Sequence, residues 1–257
     1  MSVVLLTSAS GAPGVTTAVL GLACTWPRSV IAADADPAGG SAMLAGFFRG
    51  FQPPAQSIAD LLLAHRANRL AEQLPLSLIP IDHTEAAVLT GPRSHAQART
   101  ALELWEPLGL IWKALQVTGT DVLIDAGRLG MASYAEPLLR LADVVLLVVR
   151  SDLTSLAAAK QWAERAAEAR QQQPELPEWL VLLIGPNQPY SPHEVASVLG
   201  LPVLATVGWA PHAATRFSQG ATGVRATRLR RQFRQCGDAV RAKIETDARL
   251  LGAGAAA

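Results

Sequence analysis

Short apolar runs recur along the chain, separated by stretches whose apolar residues return every three or four positions. The runs predict strands at about 3–7, 29–34, 76–81, 121–125, 143–149, 180–184 and 203–207. The longer periodic stretches predict helices at about 15–25, 57–73, 95–117, 133–141, 153–171, 191–199 and 225–246. Several strands, Val144–Val149 above all, are apolar at every position instead of alternating, which implies burial on both faces. Such strands, alternating with helices, argue for an α/β fold. The expected form is a single domain with a mostly parallel sheet of about seven strands sandwiched by helices. No internal repeat or linker divides the chain, so one domain is expected over 1–246. A low-complexity tail, ending in Gly-Ala-Gly-Ala-Ala-Ala, is expected to be flexible over 247–257.

Polar signatures collect where the predicted strands end, and open parallel sheets bind ligands outside the carboxyl ends of their strands. After Val3-Val4-Leu5-Leu6 comes Ser8-Ala9-Ser10-Gly11-Ala12-Pro13-Gly14-Val15-Thr16-Thr17, followed by a predicted helix. Strand, Gly-rich turn and helix form the context of a phosphate-binding loop. Its glycines let backbone N–H groups approach phosphates, and the helix N-terminus faces them. The lysine that should precede the threonine is absent. Val15 occupies its place, and the first lysine of the chain is Lys113. The second strand ends in Asp34-Ala35-Asp36-Pro37-Ala38-Gly39-Gly40. Two carboxylates two positions apart project to one side of an extended segment, where one can hold Mg²⁺ and the other orient a water. The strand Asp121-Val122-Leu123-Ile124-Asp125 leads into Ala126-Gly127-Arg128, which has the form of a Walker B motif.

Residues 8–17, 34–40 and 121–127, in this order, resemble the ParA/MinD family of P-loop ATPases (SIMIBI-type), whose deviant Walker A motif reads Lys-Gly-Gly-x-Gly-Lys-Thr-Thr. Ala142-Asp143 through Val149 and the following Ser151-Asp152-Leu153-Thr154-Ser155-Leu156 resemble that family's next strand and helix. The resemblance implies a nucleotide site made from Ser10, Gly11, Ala12, Pro13, Gly14, Val15, Thr16 and Thr17 for ATP or ADP, with Thr16, Asp34 and Asp125 at Mg²⁺. Asp36 and Asp125 would be the catalytic carboxylates, with Asp36 orienting the attacking water. It also implies a nucleotide-dependent homodimer that binds a protein partner.

Departures from the pattern are as informative. The family's signature lysine, which reaches across the dimer, falls on Ser10; the loop lysine falls on Val15, the second glycine on Ala12 and the first Walker glycine on Ala9. A lysine–phosphate contact contributes about 1.5–3 kcal/mol, or roughly ten- to a hundred-fold in affinity. Backbone amides and Mg²⁺ remain, so the arithmetic leaves weak nucleotide binding and weak or lost hydrolysis, because no loop cation meets the charge developing on the phosphoryl oxygens. Arg128 either supplies that cation or is an exposed switch residue in solvent. The missing lysines suggest the TadZ/CpaE-like localisation factors of pilus and secretion machines. The expectation is an ATP-dependent dimerising switch for positioning or assembly. The rival is a non-catalytic scaffold that binds proteins without nucleotide.

Composition narrows the field further. The 257 residues are 50% apolar and 17% charged, enough for a large core and unlike a disordered chain. A net charge of +1 gives no global reason to expect nucleic acid or membrane binding. Three lysines among 22 cationic residues point to codon bias before arginine chemistry. From Arg225 to Lys243 there are seven basic residues and one acid, Asp238. Leu229, Phe233, Cys236, Val240 and Ile244 share one helical face, so this stretch reads first as a packed last helix with a solvated cationic side. DNA or membrane contact through 225–243 is the less favoured reading. Cys24 and Cys236 have no CxxC partner, the histidines lack metal spacing, and neither a signal peptide nor a membrane-length apolar run is present. A cytoplasmic protein, recruited elsewhere only through partners, is expected. A Gly11-x-x-Gly14 loop also lacks the Gly-x-Gly spacing of dinucleotide dehydrogenases. A ligase or amidotransferase would need a nucleophile or an activating lysine that the sequence does not show.

Overall fold

A computed structural model describes residues 2–11, 14–51, 56–115 and 119–254. Within them one sheet contains eight strands: β1 (Val3–Ser8), β2 (Val30–Asp34), β3 (Leu78–Pro80), β4 (Ala86–Leu89), β5 (Asp121–Arg128), β6 (Val144–Arg150), β7 (Glu178–Ile184) and β8 (Val203–Val207). Their order is β3-β4-β2-β5-β1-β6-β7-β8. Neighbours pair in parallel, except that β3 runs antiparallel to β4 at the edge. The helices are α1 (Val15–Ala23), α2 (Ile58–Arg66), α3 (Leu70–Gln73), α4 (His95–Ala114), α5 (Glu136–Leu141), α6 (Leu153–Gln172), α7 (Pro192–Leu199), α8 (Pro211–Ser218) and α9 (Thr227–Gly254).

Strand alternation sorts the core into two layers. Val3 and Leu5 of β1 face a cluster built with α2, α4, α6 and α7. Val4 and Leu6 face the opposite cluster, built with α1, α8 and α9. Trp105 and Trp112, seven residues apart on α4, are both buried in the first layer, as their spacing predicts. Phe233 of α9 lies against Gly21 of α1, where an added Cβ would come within 2.2 Å of the ring. At the amino end of the sheet, the buried Asp121 carboxylate accepts from Ser2 N (2.6 Å), Trp26 Nε1 (2.7 Å) and Arg28 Nε (2.5 Å). No helix among the described residues is long and apolar enough to cross a membrane.

Five elements differ from the predicted pattern. The predicted helix over 57–73 divides at Asn68, whose φ of 56° ends α2 before α3 begins. The predicted strand over 76–81 shrinks to β3, because Pro80 cannot donate to a ladder and is tolerated only at an edge. β4 and α8 were not predicted; β4 enters through Ala86 and Ala87, which carry little strand signal. Finally α9 continues to Gly254, beyond the predicted helix end at 246, while residues 255–257 lie outside the described ones.

Candidate functional site

β1, β2 and β5 lie side by side, and their carboxyl ends bring three sequence motifs to one edge. β1 ends at Ser8, whose Oγ donates to the Ser10 carbonyl (3.0 Å). The chain enters α1 through Gly14, which holds φ 99°, ψ 32°. A side chain at that dihedral is strained, so glycine is required where the loop turns into the helix. Among the described residues no side chain caps α1, which leaves the N–H groups of its first turn without a side-chain cap. Ala12 and Pro13, expected in this loop, lie outside the described residues.

A cleft of about 330 Å³ opens over this helix start, with Ser10, Gly14, Thr16, Asp36, Asp125 and Arg128 among its lining residues. Thr16 Oγ1 donates to Asp125 Oδ2 at 2.5 Å, joining the loop to the Walker B position. Gly127 N donates to Asp125 Oδ1 (3.0 Å), and its own carbonyl accepts from Thr7 Oγ1 (3.1 Å). Gly11 and Thr17 also line the cleft, as does Val15, whose side chain is otherwise 6% exposed and packed with the α1 layer. Among the described residues, Arg128 is the one cationic side chain in the lining. It is exposed, with Nη2 3.0 Å from Met131 Sδ.

Asp34 and Asp36 part company, contrary to the same-side expectation. Asp34 is 3% exposed and accepts from Ser41 Oγ (2.8 Å), standing behind the cleft. Asp36 N donates to Asp34 Oδ1 (3.2 Å) and Asp36 Oδ1 accepts from Ala38 N (2.8 Å). These side-chain bonds turn the backbone at once, so the alternation rule of an extended strand no longer applies. Asp36 instead swings over Gly127, where an added Cβ would stand 2.3 Å from its Oδ1. Gly127 also holds φ 63°. Gly127→Ala is therefore expected to destabilise the protein by about 1–3 kcal/mol and displace the Asp36 carboxylate. Chemical denaturation compared with Gly130→Ala, whose Cβ meets only the Trp162 ring edge at 3.3 Å, checks this; equal losses would refute it.

Crowding dominates the electrostatics. Asp34 and Asp125 are register partners across β2 and β5. Burial pushes the Asp125 carboxyl well above the ordinary range, and the neighbouring Asp34 charge adds to this against the Thr16 hydrogen bond. Burial likewise raises Asp34, opposed mainly by the Ser41 hydrogen bond. The site thus holds more acid than its cations balance.

A second cleft, of about 350 Å³, lies along the same sheet edge beyond the ends of β7 and β8, with Pro186, Asn187, Gln188, Trp209 and Arg225 among its lining residues. Arg150 lies over the Trp209 ring, 4.1 Å from its centroid. The motifs gave no sign of this cleft. The signal available was positional, in the loop residues that directly follow two predicted strands.

The fold is that of the MinD and ParA P-loop ATPases. The chain superposes on the cell division ATPase MinD of Pyrococcus furiosus with a TM-score of 0.71 at 17% identity, covering 94% of this chain and 98% of that one. The septum site-determining protein MinD of Pyrococcus horikoshii, complexed with Mg-ADP, gives 0.70 at 17% identity, covering 93% and 95%. A ParA family ATPase from Chlorobium tepidum gives 0.69 at 16% identity, covering 92% and 97%. No protein-family profile and no curated protein sequence matches the chain.

Proposed function

We propose that this chain is a ParA/MinD-like nucleotide-binding switch that positions or assembles a larger machine, with weak or absent hydrolysis. The observation that carries the reading is the 2.5 Å contact between Thr16 and Asp125 beneath an uncapped helix start. That arrangement offers backbone donors for phosphate oxygens together with a hydroxyl and a carboxylate for Mg²⁺. A likeness to a structure holding Mg-ADP supports the same choice of ligand.

The residues present fit a magnesium nucleotide. Among the described residues no three His, Cys, Asp or Glu side chains form a ready-made metal cage. Mg²⁺ does not need one, since it is typically held by one or two protein groups plus phosphates and waters. Thr16 and Asp125 would hold it, and Mg²⁺ would supply the positive charge that the crowded carboxylates lack. Asp34, turned toward Ser41, orders the switch from behind and is not assigned to the metal. Asp36, at the cleft, is placed to hold and orient a water. The amides of Gly14 to Thr17 would receive the phosphates, with the nucleoside extending along the edge toward Asn187 and Trp209. Arg128 would contact phosphate in place of the missing loop lysine.

By the same resemblance, two copies would close face to face over nucleotide, and the closed and open forms would engage a protein partner differently. TadZ/CpaE-like localisation of pilus or secretion machinery is the specific setting that the missing lysines favour. A protein of this kind works in the cytoplasm and reaches membrane or nucleoid through its partner.

Calorimetric titration tests the reading. Mg²⁺-ATP and Mg²⁺-ADP should each give saturable heat, with dissociation constants weakened roughly ten- to a hundred-fold from those of a lysine-bearing loop. Absence of saturable heat from folded protein would favour the scaffold instead, in which Val15 simply belongs to the core.

A further inference from the structure

One sizeable cavity lies away from the nucleotide edge. It holds about 500 Å³ at the far end of α1, beside the turn that joins β3 to β4. α1 begins at the carboxyl edge of the sheet and ends near its amino edge, so Cys24, just past the helix, places this cavity at the opposite end of the layer. None of its lining residues also lines either cleft described above.

Its chemistry is divided between rings and guanidinium groups. Phe47, Phe48 and Phe217 supply apolar wall, with Phe47 and Phe48 set edge to face at 5.1 Å. Phe51 stands at the rim 78% exposed, an unusual position for so large an apolar side chain. Arg216 and Arg230 line the same space. Neither is in an ion pair among the described residues. Among the described residues, Arg230 Nη2 reaches the Cys24 carbonyl at a long 3.5 Å. Cys24 lines the cavity together with both arginines. Burial raises that thiol to about 11, while the charges of Arg230 and then Arg216 pull it down. Asp82 and His83, on the β3–β4 turn, also line it.

Two forked cations with open donors suit a carboxylate or phosphoryl group. Inorganic phosphate would leave most of the cavity and all of the ring wall unused, whereas a volume of this size matches small organic ligands. Asp82 would then be free to accept from a hydroxyl or amino group on the same molecule. We propose that this cavity is a second ligand site, separate from the nucleotide edge, for a small amphipathic organic anion whose head meets Arg216 and Arg230 and whose apolar body lies against Phe47, Phe48 and Phe217.

The test uses 1-anilinonaphthalene-8-sulfonate, a fluorescent aromatic anion, titrated into the full chain. One saturable site is expected, with the apparent dissociation constant raised at least about fivefold by Arg216→Gln and further by Arg216→Gln/Arg230→Gln. Arg216 is exposed and makes no hydrogen bond or ion pair among the described residues, so the single variant separates binding from folding. Saturating Mg²⁺-ATP should leave the signal in place. Unsaturable fluorescence, a smaller shift in Arg216→Gln, or displacement by Mg²⁺-ATP would each overturn the proposal, the last by assigning the probe to the nucleotide edge.

Discussion

Asp125→Asn is expected to raise the melting temperature of the nucleotide-free protein at pH 8 by roughly 4–8 °C and to remove the Mg²⁺-dependent part of nucleotide binding. The carboxyl is buried beside Asp34, and burial first, then the Asp34 charge, raises it from 3.8 to about 8. Between those values the folded chain keeps a proton that the unfolded chain gives up, so its contribution to stability falls as pH rises from about 4 to about 8. Below pH 4 both states are protonated and the contribution is constant. Asparagine removes the titration; its oxygen still accepts from Gly127 N, and its amide faces the Thr16 oxygen. A gain on the order of 2 kcal/mol at pH 8 follows from relieving a buried, crowded charge, equivalent to about 2–4 °C per kcal/mol for a chain of this size. The gain should vanish near pH 4. Thermal melts at both pH values check it, with Asp36→Asn as the control at a half-exposed carboxylate. An equal gain at pH 4, or a loss at pH 8, would remove the crowding argument.

The opposed effects on stability and binding also show what could be read from the chain. The strand and helix over 3–23 and Asp125 of β5 were legible because each follows a short-range rule: an apolar run, a glycine at a left-handed turn, an acid closing an apolar run. β4 was not legible, because Ala86 and Ala87 become strand only through pairing with Val30 and Ile31, which lie more than fifty positions earlier. α8 was hidden for a similar reason. Its sequence is mostly polar or small, and its buried residue is Phe217, set edge to face against Phe233 of α9 with 5.4 Å between ring centroids. Asp34 and Asp36 were found as a pair but not as a division of labour. Their separation depends on Ser41 and Gly127, which are brought in from outside the motif. Local chemistry was therefore visible, while the environment that tunes it depended on tertiary contact.

The larger binding effect belongs to the missing lysine. Val15→Lys is expected to tighten Mg²⁺-ATP binding about ten- to a hundred-fold, the contribution of one charge-assisted phosphate contact. Val15 lines the cleft from the first turn of α1 while most of its side chain packs inward. A lysine stem can cover that apolar surface and carry its ammonium group to the cleft, so the stability cost is about 1 kcal/mol. Arg128→Gln should act in the opposite direction, weakening Mg²⁺-ATP at least about tenfold and ADP less, because ADP lacks the terminal phosphate. The double variant is the decisive one. If Arg128 substitutes for the loop cation, Val15→Lys/Arg128→Gln should bind close to the parent level, since one cation has replaced the other at the same phosphates. Turnover need not follow, because the trans-acting lysine position of the resembled family is still Ser10. Unchanged affinity in Arg128→Gln would return that side chain to solvent. A folded Val15→Lys protein that binds no more tightly than its parent would show that residues 10–17 no longer hold the shape a triphosphate requires.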